Sequence, residues 1–160
     1  MKIYNQLDPQ FKGWYLGKSK TSWFSRYGCH LFCWSFMYSL KLGRDVNPKE
    51  VDAIFIREGV YVGDMIDSNK AAKALGLNYS GREYDVNKAP NWYPNIKQVD
   101  YSIAKGAQTH FVIRDLVNGK RVIKDPIGGV TRSINFYENK VNNRLWNNPK
   151  GNFSYRLAKI

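Results

Sequence analysis

Residues Cys29 to Leu42 (CHLFCWSFMYSLKL) are apolar on almost every side, and Gly43 stops the run. The run holds no β-branched residue, which favours a helix over a buried strand of the same hydrophobicity. A helix that is apolar all round belongs in the middle of a core rather than on a surface. Any fold open to this chain must therefore enclose residues 29–42. With 160 residues there is room for one such core, so 1–160 read as a single domain. A hydrophobic share of 43%, including 15% aromatics, is enough to fill that core and excludes a disordered chain.

The elements around this helix change character midway. Residues 1–28, rich in Gly, Ser, Lys and aromatics, form an ordered but irregular opening segment. Asn47 followed by Pro48 opens a second helix, Pro48–Glu58. Ser68 is the expected cap of a third, Asn69–Leu75, which Gly76 ends. A short strand and a loop are expected between Asn78 and Asn95. Strands are then predicted at Val99–Ile103, His110–Leu116 and Arg121–Lys124, the last two joined by an Asn118-Gly119 hairpin turn. Ser133–Asn139 carries no clear pattern, and Ser154–Ala158 is a candidate to close the sheet. Helices first and an antiparallel sheet second is an α+β order.

The formal net charge is +12, from 25 Lys and Arg against 13 Asp and Glu. Such a surface attracts polyanions: nucleic acid, anionic lipid headgroups or bacterial wall polymers. The basic residues are scattered, with no block of five, so a basic arm is not expected, and a merely solubilising charge explains them equally well. The first residues lack the apolar stretch of a secretory signal, and no run is long enough to span a membrane. Synthesis in the cytoplasm is expected, with delivery by lysis or in a virion if the protein acts outside. Cys29 and Cys33, four apart on one helix, hold their Cβ atoms roughly 6 Å apart, beyond the ~3.5–4.5 Å of a disulfide. Two free thiols are expected, as in a reducing compartment.

Cys29 follows Gly28 and opens the buried helix. A thiol there lies at the positive end of the helix dipole, which favours the thiolate; the same N–H groups can hold an oxyanion. Gly28 would let a substrate backbone approach closely. Taken alone, this pair is explained as well by a buried structural cysteine. A nucleophilic thiol needs a base, and the chain has two histidines. His30 neighbours Cys29, but successive helical side chains point about 100° apart. A zinc site from Cys29, His30 and Cys33 would lack a fourth clustered ligand. That leaves His110. Asp125, at the end of the hairpin partner strand, can orient the imidazole, although an aspartate before Pro126 is also an ordinary turn-former. Asp115 lies five residues along the His110 strand, on the opposite face. No cofactor is called for.

Four stretches, in order, resemble the C39-like branch of papain-fold cysteine peptidases: NQLDPQFKGWYLG, YGCHLFCWSFMYSLKLG, NPKEVDAIFIREGVYVGDMIDSNKAAKALGL and THFVIRDLVNGKRVIKDPIGG. The resemblance covers about Tyr4 to Tyr137. It implies a papain-like α+β fold and amide hydrolysis through an acyl-enzyme, with Cys29 as nucleophile, His110 as base and acid, and Asp125 orienting it. It also implies that Gln6 is the oxyanion-hole glutamine, although 22 residues separate it from Cys29, more than in papain-type enzymes. His30 and Cys33 depart from the small or aliphatic residue and the Ser or Thr usual at those positions. Small stand-alone members, many phage-encoded, are similar to wall-peptide hydrolases or processing peptidases.

The leading expectation is therefore a cysteine peptidase acting on a peptide or peptidoglycan cross-peptide, with an anionic cell-wall polymer as a further partner. Cleavage of one specific precursor is the alternative enzyme reading. A binding module or virion component on a peptidase fold is another; Trp92, Tyr93 and the basic stretch Lys140–Lys150 would then form contacts. Nucleic acid is motivated by charge and aromatics alone, with no recognised motif. Tyr27, Trp34 and Trp92 are candidates for a substrate pocket, though core or surface packing is the commoner reason for each.

Overall fold

The computed structural model describes residues 1–85, 88–100, 109–134 and 154–160. The chain begins with a 3-10 turn at Pro9–Phe11 and a one-turn helix α1, Phe24–Tyr27. Helix α2 spans Cys29–Leu42, α3 Pro48–Arg57 and α4 Ser68–Ala74. A two-stranded ribbon, β1 (Tyr61–Val62) and β2 (Met65–Ile66), lies between α3 and α4. Six further strands follow: β3 Asn78–Glu83, β4 Asn95–Asp100, β5 Thr109–Val117, β6 Lys120–Asp125, β7 Val130–Ser133 and β8 Tyr155–Lys159. They form one antiparallel sheet in the order β3-β8-β4-β5-β6-β7. The fold is α+β, with the helices preceding the sheet.

Helix α2 packs against β5 and β4 on one side and against α3 and α1 on others. Its residues from Cys29 to Met37 are all buried, as their all-round apolar character requires. Phe32 sits edge-on to Phe11, ring centroids 4.9 Å apart, and to Phe24 at 6.0 Å, so the irregular opening segment becomes one wall of the core. Two serines fasten the chain returning from α2. Ser35 Oγ donates to the Val46 carbonyl at 2.6 Å, and Ser39 Oγ accepts from the Val46 N–H at 2.9 Å. Asn47 then caps α3 by accepting from the Lys49 N–H at 3.0 Å. Helix α3 is amphipathic, burying Val51 and Phe55.

The hairpin at Asn118-Gly119 forms as its sequence demands. Both residues adopt positive φ (51° and 73°), as a two-residue primed turn requires, and Val117 pairs with Lys120. Three expectations need correction. The cap of α4 is Asp67, whose Oδ1 accepts from the Asn69 and Lys70 N–H groups, so the helix begins at Ser68. A carboxylate directly ahead of the first turn outcompetes a hydroxyl one residue further on. Strand β4 starts at Asn95, four residues before the expected Val99; Tyr101–Ile103 lie outside the described residues. Lys97 had disguised this stretch, because it is buried and its Nζ donates to the Tyr155 hydroxyl at 3.0 Å. Strand β8 does not close the sheet from an edge but lies inside it, between β3 and β4. Most of Ser133–Asn139 and all of Lys140–Lys150 also lie outside the described residues.

Replacing Phe32 by Ala should cost about 3–5 kcal/mol through lost burial and a cavity. Asn47→Ala should cost about 1 kcal/mol through the lost cap. Urea unfolding followed by far-UV circular dichroism would separate the two; equal losses would mean that α2 is not the centre of the core.

Candidate active site

Gly28 separates α1 from α2 and makes the chain break step there. Its N–H donates to the Phe24 carbonyl at 2.9 Å, and a Cβ on residue 28 would stand 2.4 Å from that oxygen. The glycine is therefore needed for the close turn between the two helices, which places Cys29 in the first turn of α2. The first N–H groups of a helix have no intrahelical acceptors. The Ser25 carbonyl, one turn before Cys29, is occupied by Gln6, whose Nε2 donates to it at 2.9 Å.

His110 and Asp125 come from neighbouring strands. Ile113 pairs with Lys124, and the same register sets Val112 opposite Asp125, with His110 on the diagonal. His110 Nε2 and Asp125 Oδ1 are 2.7 Å apart, and both side chains are buried. Asp125 Oδ1 also accepts from the Ile127 N–H at 2.8 Å, so the turn at Pro126 holds the carboxylate in place. Turn-former and histidine partner are thus one residue. Asp115, the nearer acid in sequence, pairs instead with Lys124 at 3.8 Å.

Burial by itself would lower the pKa of His110. The Cys29 sulfur, through its charge and a hydrogen bond, together with Asp125 overcomes that and raises it to about 9. An imidazolium is therefore favoured at neutral pH, with Cys29 on one side and Asp125 on the other. Cys33, one turn further along α2, is buried in the core. Burial first, then negative charge at Cys29 and Asp125, holds its thiol well above the usual range. Both cysteines are free.

His30 has a different environment from His110. Its ring stacks on Phe111 with centroids 3.8 Å apart, and its Nε2 accepts from Trp34 Nε1 at 3.0 Å. Burial, and next the Arg156 and Arg82 charges, keep its pKa well below the ordinary value, so it is a neutral imidazole. Gln6 is buried beneath the turn that carries Asp125, with its N–H donating to the Pro126 carbonyl at 2.9 Å. Its Oε1 has no hydrogen-bond partner among the described residues.

Cys29 lines a cleft of about 470 Å³ with His30, Tyr27, Phe111, Gln98, Arg82 and Arg156 among its walls. His110, Asp125 and Gln6 are not among the lining residues and are buried. Of the aromatic candidates, Tyr27 lines the cleft, Trp34 is core, and Trp92 packs its ring under Lys159 at 4.1 Å. Tyr93 accepts from Arg114 at 3.1 Å. Arg82, Gln98 and Arg156 were not singled out from sequence; positive charge on the strands was the signal, diluted by a chain that is basic throughout.

No family model, curated protein or solved structure matches the chain. Among the described residues, no helix is long and apolar enough to cross a membrane.

The raised pKa of His110 makes a signed prediction. A group whose pKa is higher folded than unfolded stabilises fully below the unfolded value, about 6.5, and that contribution is lost as pH rises through the folded value. The His110 imidazole should therefore titrate near 9 by NMR, and stability should decline between pH 6.5 and 9. In Asp125→Asn, both the titration and the decline should move to lower pH. An unmoved titration in that variant would mean that Asp125 does not support the imidazolium.

Proposed function

We propose that the protein is a cysteine peptidase with a papain-like arrangement of helix and sheet, cutting an amide bond of a peptidoglycan cross-peptide. One observation carries the reading: a cysteine at the head of a buried helix adjoins a histidine that is itself held by a buried aspartate at 2.7 Å. In this arrangement Cys29 supplies the nucleophile and His110 the base beside it.

In this reading the thiolate attacks the scissile carbonyl carbon, and the carbonyl π electrons move to oxygen. The Cys29 N–H at the head of α2 is the assigned donor to that oxyanion, while Gln6, buried and bound through Nε2 to the Ser25 carbonyl, holds the turn before Cys29. As the intermediate collapses, the C–N bond breaks and His110 gives its proton to the leaving amine, leaving a thioester on Cys29. His110 then takes a proton from water, whose oxygen attacks the thioester. A free carboxylic acid leaves, and the thiolate–imidazolium pair is restored. Asp125 keeps the ring oriented through both steps. The +12 charge would draw the protein to an anionic cell wall.

Iodoacetamide alkylation of Cys29 between pH 4 and 9 tests the pair, with Cys33 replaced by Ala. Reactivity persisting below pH 6 in the parent and lost in His110→Ala is expected. A single titration near ~8.5, the free-thiol value, unchanged by removing His110, would sink the reading. On purified sacculi, the parent should release soluble peptide and clear turbidity while Cys29→Ala binds without clearing. Equal clearing by both would exclude Cys29 as the nucleophile.

A further inference from the structure

Arg156 on β8 is 3% exposed, yet it lines the cleft at Cys29. Burying a guanidinium is costly unless an anion answers its charge. Its hydrogen-bond partners among the described residues are all neutral. Nε donates to Ser68 Oγ at 3.1 Å, one terminal nitrogen to Ser154 Oγ, and the other to Gln98 Oε1 at 3.0 Å. A guanidinium has five N–H donors, so one remains on each terminal nitrogen. Among the described residues, no carboxylate forms an ion pair with Arg156 or with Arg82, which lines the same cleft. The two cations are close enough for Arg82, after burial, to lower the pKa of Arg156, to about 10.

The rest of the inner wall has the same polarity. Gln98 gives its Oε1 to Arg156, which leaves its amide nitrogen as a donor. His30 accepts at Nε2 from Trp34, so its ring proton is on Nδ1, a further donor. The acid on this cleft is Asp64, which accepts from Ser22 Oγ at 2.6 Å rather than from either arginine. A wall of donors and two cations beside a nucleophile describes a site for an oxyanion.

We propose that this cleft is a specificity subsite for a substrate carboxylate, an acidic side chain or free terminus next to the scissile bond, held by Arg156 in the wall and Arg82. The proposal rests on the peptidase reading for the source of the carboxylate. Arg156 is placed to bind it in a fork, and Ser68, Ser154 and Gln98 hold that fork in one orientation. The uncompensated charge in the free protein is then answered only when an acidic substrate arrives, which excludes neutral and basic residues from the same place.

The test compares two alkylating agents of similar size at Cys29, again with Cys33 replaced by Ala. Iodoacetate carries a carboxylate and iodoacetamide does not. The iodoacetamide rate reports the thiolate alone, and the ratio of the two rates reports the anion subsite. The parent should prefer iodoacetate. The ratio should fall about tenfold in Arg156→Gln, as expected for losing one charge-assisted contact of about 1.4 kcal/mol. It should fall less in Arg82→Gln and only partly in Arg156→Lys, which keeps the charge but loses the fork. Lys120→Gln, an exposed change on the β5–β6 turn, should leave it unchanged. If Arg156→Gln does not fold, Arg82→Gln decides, because among the described residues Arg82 holds no ion pair whose loss would unfold the chain. An unchanged ratio in Arg82→Gln, or an equal fall in Lys120→Gln, would overturn the subsite while leaving a fast iodoacetamide reaction intact. A slow iodoacetamide reaction in the parent would instead count against the peptidase reading.

Discussion

Burial of α2 is the constraint on which the other parts of the fold depend. An all-round apolar helix needs cover on every side, and three separate parts of the chain provide it: the aromatic opening segment, α3, and strands β4 and β5. Each of these is irregular or amphipathic and has an apolar side that joins α2 in one core. Because the helix cannot rotate or slide within this enclosure without exposing apolar surface, its first residue is held at a fixed place. That residue is Cys29.

The opening segment also ties the two halves of the site together. Asn5 Oδ1 accepts from the Gly128 N–H at 3.0 Å, and the Gln6 N–H donates to the Pro126 carbonyl. Gln6 Nε2 reaches in the other direction to Ser25, just before the head of α2. Two consecutive residues thus bind the turn that holds Asp125 to the turn that presents Cys29. The helix supplies a thiol, the hairpin supplies a held imidazole, and residues 5–6 fix one against the other. Gln6 therefore has a positioning role.

The sheet buries cations in two ways. Lys97 and Arg114 pack with Tyr155, Tyr93 and Asn95, where hydroxyl, amide and aromatic faces solvate the charge. Arg156 also has neutral partners, but it adjoins an open cleft and a reactive thiol. Donors that remain beside open space can act on a ligand, whereas the enclosed ones serve to hold strands together.

Much of the architecture was legible in the chain because local rules and burial agree. Residues 29–42 could only be a buried helix, Asn47-Pro48 only a helix start, and Asn118-Gly119 a hairpin. Cys29, His110 and Asp125 could be put forward from the chain only as a set, since Cys29 alone reads as a structural cysteine and Asp125 alone as a turn-former before Pro126. What the sequence could not carry is long-range placement. Strand β8 lies between β3 and β4 because it pairs with residues far earlier in the chain, Lys97 with Tyr155 on one side and Asn78 with Lys159 on the other, and no local pattern encodes that. Strand β4 was obscured because a buried lysine reads as a surface residue until its tyrosine partner is known. Arg156 stood among 25 basic residues with nothing to mark it. Only the tertiary structure, by burying it beside Cys29 with three neutral acceptors, separated it from the rest, since the burial and partners of a charge depend on residues remote in the chain.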